Sequence, residues 1–367
     1  MKILVFSWRG PGHPNAGGAE KVTHEHAKSW VQAGHDVTLF TSGFPGVPSH
    51  ELIDGVEIVR GGHQIGLFHI TAVFWYLFQK ETTYDVIIDQ FHGIPVFTPL
   101  FVRGQKVGFI HEVAKEVWWT NHLRFPLNHL YGALGYFIEP FIFRLYTKIP
   151  FVTVSLSTKA DLIDWGIDKK NISIIYNGVS VKKSNQKKSK TKTLMYLGAI
   201  AKDKGIEDAL KLFSLIHKSY PAWKLWIVGK GEPHYLDELN IPRYIKNYGF
   251  VDEQTKFDLL SRAHILINPS IREGWGLVNI EANAMGTPVV AYDVPGCRDS
   301  IKNNHTGILC PKGNIDQMTS QAVLLLQDDK RYKNMTTQAK NWSKNFIWEK
   351  SSTQSLKFLM ALIQLQS

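Results

Sequence analysis

The sequence predicts an α/β protein made of two doubly wound parallel-sheet domains in tandem, and three observations predict it. Short apolar runs alternate with amphipathic stretches along the chain, as buried parallel strands and their covering helices require. The alternation is interrupted once, at residues 181–192, by VKKSNQKKSKTK, which carries no apolar periodicity. The length of 367 residues is more than one ordinary domain needs and enough for two cores.

The elements follow in order. Residues 3–6 read as a strand, 19–32 as a helix closed by Gly34 and 36–41 as a second strand, a β-α-β opening. Strands at 86–89, 107–110, 152–154 and 172–175 continue a first domain, 1–180. The lysine-rich stretch 181–192 reads as a mobile, solvated linker. A second domain, 193–344, has strands at 193–197, 224–228, 265–267, 288–291 and 307–309, with helices such as 205–217 and 255–262 between them. From Trp342 the chain reads as helical to Gln364, a strut packed across a domain. Open parallel sheets bind ligands beyond the carboxyl ends of their strands, so two such sheets facing each other are expected to hold a site between them.

Composition excludes several classes. Hydrophobic residues make up 44% and charged ones 20%, which rules out a mainly disordered or collagen-like chain. Two cysteines, Cys297 and Cys310, are too few for a disulfide framework or a four-cysteine zinc site, and they point to a reducing compartment. MKILVF runs straight into Ser7-Trp8-Arg9-Gly10, leaving no export-signal core of about 7–15 apolar residues. The most apolar stretch, from Leu134, is broken by Glu139, Pro140 and Arg144 before it reaches the roughly 18 residues of a spanning helix. A cytoplasmic protein is expected. The net charge of +10 arises wholly after residue 180, largely in the linker, and no nucleic-acid motif accompanies it, so a nucleic-acid partner is not expected.

Residues 113–146 are rich in aromatics, among them Trp118, Trp119, Phe125, Tyr131, Phe137 and Phe141, and a first aromatic group stands at 74–78. One reading is core packing around a buried helix. The other is a partly exposed apolar surface that docks on a bilayer or grips a lipid-linked acceptor.

The chemistry concentrates in SIREGWGLVNIEANAMGTPVVA, 270–291. Glu273 and Glu281 are eight residues apart, but Gly274 and Gly276 favour a turn, with a helix beginning near Leu277 or Val278. Glu273 then precedes the helix and Glu281 lies about one turn inside it. The free N–H groups of residues 276–279 and the positive dipole end form an anion site between the two carboxylates, each of which can accept from a diol. Such parts suit a sugar diphosphate. A bare helix-entry pair that merely complements the dipole is the alternative for two isolated glutamates.

The whole string resembles the retaining glycosyltransferases of family 4, which have the GT-B fold of two facing Rossmann-like domains and an E-x7-E signature. Here the signature is Glu273 and Glu281, followed by a helix and Gly286-Thr287-Pro288-Val289-Val290-Ala291. The resemblance extends to Gly17-Gly18-Ala19-Glu20 at the first helix, Asn177-Gly178-Val179 at the end of the first domain and Gly229-Lys230-Gly231-Glu232 beside the nucleotide base. It also implies that Trp348-Glu349 and the C-terminal helix, 345–367, cross back onto the first domain and complete it. His111, directly after a strand, matches a histidine that contacts the donor sugar near its reacting carbon; on position alone a structural or capping role is the default.

In the same family G-R-x4-K-G binds the diphosphate. This chain has Gly198-Ala199 with Lys204-Gly205, so the lysine is kept and the arginine is absent. Losing a charge-assisted phosphate contact costs about 1.5–3 kcal/mol, and Lys202 and Arg272 are the candidates to replace it. The resemblance implies transfer of a sugar from a nucleotide-diphosphate sugar donor to a hydroxyl of a glycan or lipid-linked acceptor, with retention and without a metal or other cofactor. The implied catalytic residues are His111, Lys204 and Glu273. The implied donor-binding residues are Gly17, Gly18, Gly198, Lys204, Gly229, Gly231, Glu273, Gly274, Gly276, Leu277, Val278 and Glu281. Peripheral association with the inner membrane face fits the lipid-linked acceptor. A non-catalytic nucleotide-sugar-binding protein and a sugar-nucleotide epimerase are the rival readings; the missing third glycine of G-x-G-x-x-G, Asn15 here, weighs against a dinucleotide-dependent oxidoreductase.

Overall fold

Aliphatic runs buried on both sides form two separate sheets. The structure, a computed structural model, describes residues 1–63, 66–79, 83–91, 93–121, 123 and 125–364. The chain divides into two compact units, one of residues 1–115, 133–178 and 348–367 and the other of 116–132 and 179–347.

In unit 1 the order is β1 (Lys2–Phe6), α1 (Gly18–Gln32), β2 (Asp36–Gly43), β3 (His50–Ile53), β4 (Val56–His63), α2 (Leu67–Phe78), β5 (Val86–Phe91), β6 (Lys106–Ile110), α3 (Leu127–Arg144), β7 (Phe151–Thr153), α4 (Leu156–Asp164) and β8 (Ile172–Ile174). α3 starts within the stretch grouped with unit 2. Among the described residues the strands are ordered β3-β4-β2-β1-β5-β6-β7-β8, parallel except for the β3–β4 hairpin. Every residue of β5 is buried, because helices cover both faces of a parallel sheet. Leu4, Phe6 and Ile87 pack on Phe68 and Ala72 of α2. Ile88 faces the other way, toward His26 and Trp30 of α1.

Unit 2 runs β9 (Thr193–Leu197), α5 (Ile206–Ser219), β10 (Lys224–Val228), α6 (Pro233–Glu238), β11 (Lys246–Gly249), α7 (Glu253–Arg262), β12 (Ile265–Asn268), α8 (Leu277–Ala284), β13 (Val289–Tyr292), α9 (Cys297–Ser300), β14 (Gly307–Cys310), α10 (Ile315–Gln327) and α11 (Asp329–Ser343). Its sheet is ordered β11-β10-β9-β12-β13-β14 and is parallel throughout. Its core joins Leu194, Tyr196, Ile227 and Leu266 of the sheet to Ile206 and Phe213 of α5 and to Phe257 of α7. The last helix, α12 (Trp348–Gln364), belongs to unit 1, where Trp30 Nε1 donates to Ser355 Oγ at 3.0 Å.

Three expectations are corrected. The continuous helix from Trp342 is two helices, because the chain leaves α11 at Ser343 and re-enters a helix at Trp348. Trp342 Nε1 donates to Ser300 O in unit 2, and Phe346 packs on Trp275 there. The stretch 181–192 is not a free linker. It has no helix or strand, yet it is tied along α7: Ser189 N donates to Arg262 O at 2.9 Å and Ser261 Oγ to Gln186 O at 2.9 Å, while Lys188 Nζ reaches Ala263 O and Thr287 Oγ1. Enclosure of that ammonium group, with Lys340 nearby, pushes Lys188 down to about 7. Third, the aromatic segment is not a core helix along its length. Phe143 and Tyr146 are buried, but Phe125, Phe137 and Phe141 are exposed. Among the described residues, no helix is long and apolar enough to cross a membrane.

Candidate active site

Loops at the carboxyl ends of β9, β10 and β12 build the site in unit 2. Gly198 N donates to Val228 O, and Ile200 N to Lys230 O at 2.8 Å, so the first two loops are laced together. A Cβ on Gly229 would stand 1.7 Å from Gly198 O, at a φ of +156°, and only glycine permits that approach. Tyr196, buried under the first loop, donates its hydroxyl to Ala199 O at 2.6 Å. Ile271 N donates to Asp203 O at 2.9 Å, which brings the loop before α8 against the one holding Lys204.

That junction joins Lys204 to Glu273. Lys204 Nζ lies 3.2 Å from Glu273 Oε1 and 3.6 Å from Asp203 Oδ2, and Ser270 Oγ donates to the same glutamate oxygen at 2.7 Å. Glu273 N in turn donates to Pro295 O. Gly274 follows in the turn, and Gly276, at φ +72°, caps α8, which begins at Leu277 and continues through Val278. A Cβ at Gly276 would meet Asn279 Nδ2 at 2.5 Å. Asn279 N already donates to Gly276 O at 2.9 Å, contrary to the expected free N–H at that residue, so the donors this end of α8 offers beside the carboxylate–ammonium pair are the N–H groups of Gly276, Leu277 and Val278.

Glu281 is the fifth residue of α8, in its second turn. It is almost fully buried and accepts from Lys256 Nζ of α7 at 2.8 Å. Burial opposes the charge on Lys256, but Glu281 and then Glu253 more than offset this and hold its pKa above the ordinary lysine value. Sequence reasoning missed Lys256, because a pair 25 residues apart leaves no local signal. It also missed a buried amide relay: Asn268 Nδ2 donates to Asn279 Oδ1 at 2.8 Å, and Asn279 Nδ2 to Ser300 Oγ at 3.0 Å. These bonds hold α8 onto β12 and α9.

The two candidates for the missing charge differ. Lys202 is exposed and lines a depression with Glu207, Tyr235 and Glu238. Arg272 is buried, and its Nε donates to Glu116 Oε2 at 3.0 Å. Burial acts to raise the Glu116 carboxyl, but a backbone hydrogen bond and the Arg272 charge outweigh it and hold it below its usual range. Among the described residues, no group of three His, Cys, Asp or Glu side chains is placed to hold a metal ion.

Gly17, Gly18 and His111 lie in unit 1. Gly17 caps α1, its N–H donating to Glu20 Oε2, while Arg9 Nε pairs with Glu20 Oε1 at 2.7 Å; Gly18 is the first residue of the helix. His111 follows β6. Its Nε2 is 3.1 Å from Gln90 Nε2, its carbonyl accepts from Thr158 Oγ1, and its ring meets Phe109 edge-on.

Residues 16–183 match the family described as Glycosyltransferase Family 4, and residues 180–342 the one described as Glycosyl transferases group 1. An N-acetyl-alpha-D-glucosaminyl L-malate synthase of Bacillus anthracis is 28% identical over 362 residues, 89% of each chain. The fold is that of a sucrose-phosphate synthase from Thermosynechococcus elongatus, at TM-score 0.82 and 19% identity over 99% of both chains. Anabaena HepE, solved with UDP-glucose, superposes at TM-score 0.72 and 16% identity over 98% of this chain and 100% of that one.

Proposed function

The chain belongs to the family 4 glycosyltransferases of GT-B fold, and on that premise we propose that it transfers a hexosyl group from a nucleotide-diphosphate sugar with retention and without a metal. The observation that carries this reading is the Lys204–Glu273 pair at the open N-terminus of α8, with Glu281 one turn further along. Lys204 and the amides of Gly276, Leu277 and Val278 hold the diphosphate, Glu273 the donor sugar and Glu281 the ribose hydroxyls. Gly198, Gly229 and Gly231 let backbone approach the nucleotide, Gly17 and Gly18 meet the donor from the first domain, and His111 holds the sugar near its reacting carbon.

The bond from the anomeric carbon to the diphosphate oxygen breaks while the acceptor oxygen bonds to that carbon on the same face. The acceptor proton passes to the departing diphosphate, which leaves as the nucleoside diphosphate. The enzyme's share is positioning and charge stabilisation. Arg272, held by Glu116, supplies the charge that Ala199 lacks; its loss lowers donor affinity about tenfold or more, whereas Lys202→Ala changes it little. Equal affinities in Arg272→Ala and wild type sink that assignment. The acceptor is a glycan or lipid-linked hydroxyl, in glycan, glycolipid or cell-surface polysaccharide assembly. The enzyme works in the cytoplasm, peripherally on the inner membrane face.

Calorimetric titration with UDP, GDP, ADP and their sugar conjugates, with chelator present, tests the donor site. Tight binding of one nucleotide class supports the reading, and UDP is the first choice because it occupies the HepE fold. Binding that needs added divalent cation overturns metal independence, and NMR of the product anomer decides retention. Ala199 favours a second reading, a non-catalytic nucleotide-sugar-binding protein, which release of nucleoside diphosphate with any acceptor eliminates.

A further inference from the structure

We propose that α2 and α3 form a docking surface for an anionic lipid bilayer. β5 fixes their placement. Side chains alternate across a strand, so Ile87, Asp89 and Phe91 share one face. Ile87 packs with Phe68 and Ala72 of α2. Asp89 accepts from the Tyr146 hydroxyl just past α3, and the Phe91 ring lies 5.1 Å from that of Phe143. Both helices therefore cover the same side of the unit 1 sheet, opposite α1.

Their outward sides are apolar. α2 exposes Leu67, Ile70, Phe74, Leu77 and Phe78, one stripe at helical spacing, with the Phe74 and Phe78 rings stacked 5.9 Å apart. α3 exposes Leu134, Phe137, Ile138 and Phe141 in the same manner. Apolar stripes on this scale mark an interaction surface rather than ordinary scatter.

Charge selects the occupant. α2 has no charged side chain, and the one carboxylate of α3, Glu139, is turned inward, where it accepts from Ala114 N at 2.7 Å and Lys115 N at 2.9 Å. The outer side of both helices thus carries no negative charge, while Arg144 and Lys148 stand exposed at the end of α3. Apolar side chains in the acyl boundary with cations at the headgroup phosphates are what an anionic bilayer accommodates. The proposal rests on the reading of an enzyme whose acceptor is presented at a membrane.

Flotation of the full chain with phosphatidylglycerol–phosphatidylethanolamine vesicles, beside phosphatidylcholine vesicles, tests it. The wild type floats with the anionic vesicles. Combined Phe74→Ser, Phe78→Ser, Phe137→Ser and Phe141→Ser weakens partition at least about tenfold. Arg144→Glu with Lys148→Glu removes the preference for anionic over zwitterionic lipid, and it decides the matter should the serine variant misfold. Wild type that stays unbound, or variants that bind as well as it does, overturns the proposal. So does a dimer without vesicle binding that the serines dissociate, which assigns the face to a second copy. Nucleotide titration of each variant separates the two readings: it stays at the wild-type value when only docking is lost, and failure in the wild type itself sinks the donor site while the flotation result stands.

Discussion

Unit 2 pairs the charges of its candidate site and keeps its turns tight, whereas unit 1 puts apolar helices toward solvent and sets its one candidate catalytic residue, His111, beside the Gln90 amide. In unit 2, Lys204 meets Glu273 and Lys256 meets Glu281, and the glycine turns beneath leave no room for a Cβ. In unit 1, His111 has Gln90 beside it, and the outer sides of α2 and α3 are uncommitted to the core. The difference teaches that a site for a highly charged small ligand needs groups fixed to fractions of an ångström. A surface for a large, soft partner needs only area and the right sign of charge.

The strongest way to break this comparison is Lys204→Ala. Removing a preorganised cation from a departing diphosphate lowers turnover on the order of 10²–10³-fold. The check is release of nucleoside diphosphate at saturating donor, and an unchanged rate would move the phosphate charge out of this loop. Glu281→Ala comes next. It lowers nucleotide affinity about ten- to a hundredfold by calorimetry, and by leaving the Lys256 ammonium with Glu253 alone it costs about 1–3 kcal/mol of stability in urea. A double variant with Lys256→Ala recovers the stability and not the affinity.

These two residues also show what was legible in the sequence. Glu273, Gly276 and Glu281 were readable because one loop and one helix carry them contiguously, and helix geometry turns their spacing into position. The buried strands were readable for a similar reason: β1 from Ile3 to Phe6 and β5 from Val86 to Ile88 are covered on both faces and so read as short apolar runs, although Asp89 and Gln90 follow in β5. β11, Lys246–Gly249, carries an edge strand's polar residues, and β3 is half exposed, so neither had the signal of a core strand. Lys256 came from another helix, and no local pattern announces it. Aromatic count could not tell Phe143 from Phe137, since one is buried and the other exposed at six residues' separation on the same helix.

A smaller effect tests whether the units share a vulnerability beneath their different surfaces. Each buries a neutral histidine, His26 in unit 1 and His264 in unit 2, and burial lowers each to about 4, with Lys188 and Lys192 adding to the second. Their folded pKa lies below the unfolded value of about 6.5, so the unfolded chain binds more protons between the two values. The contribution is complete above about pH 6.5 and is lost as the pH falls toward 4. At pH 5 His26 alone accounts for about 2 kcal/mol of lost stability. Urea midpoints at pH 7 and 5 measure it, and His26→Gln flattens that part of the dependence.

The smallest effect sharpens the comparison most, because it asks unit 1 for chemistry and not affinity. The Gln90 amide lies 3.1 Å from His111 Nε2 and so steadies the ring. A neutral hydrogen bond is worth about 0.5–1.5 kcal/mol, so His111→Ala slows transfer about three- to tenfold. Affinity for the nucleoside diphosphate should not move, because the phosphate and ribose contacts are proposed for unit 2. Gln90→Ala, which removes that contact and leaves the ring in place, should give a smaller loss of turnover with the same affinity. Calorimetry and initial rates on the two variants separate the outcomes. A fall in nucleotide affinity matching the fall in rate would make His111 part of the ground-state donor site, and the division of labour between the units would not stand.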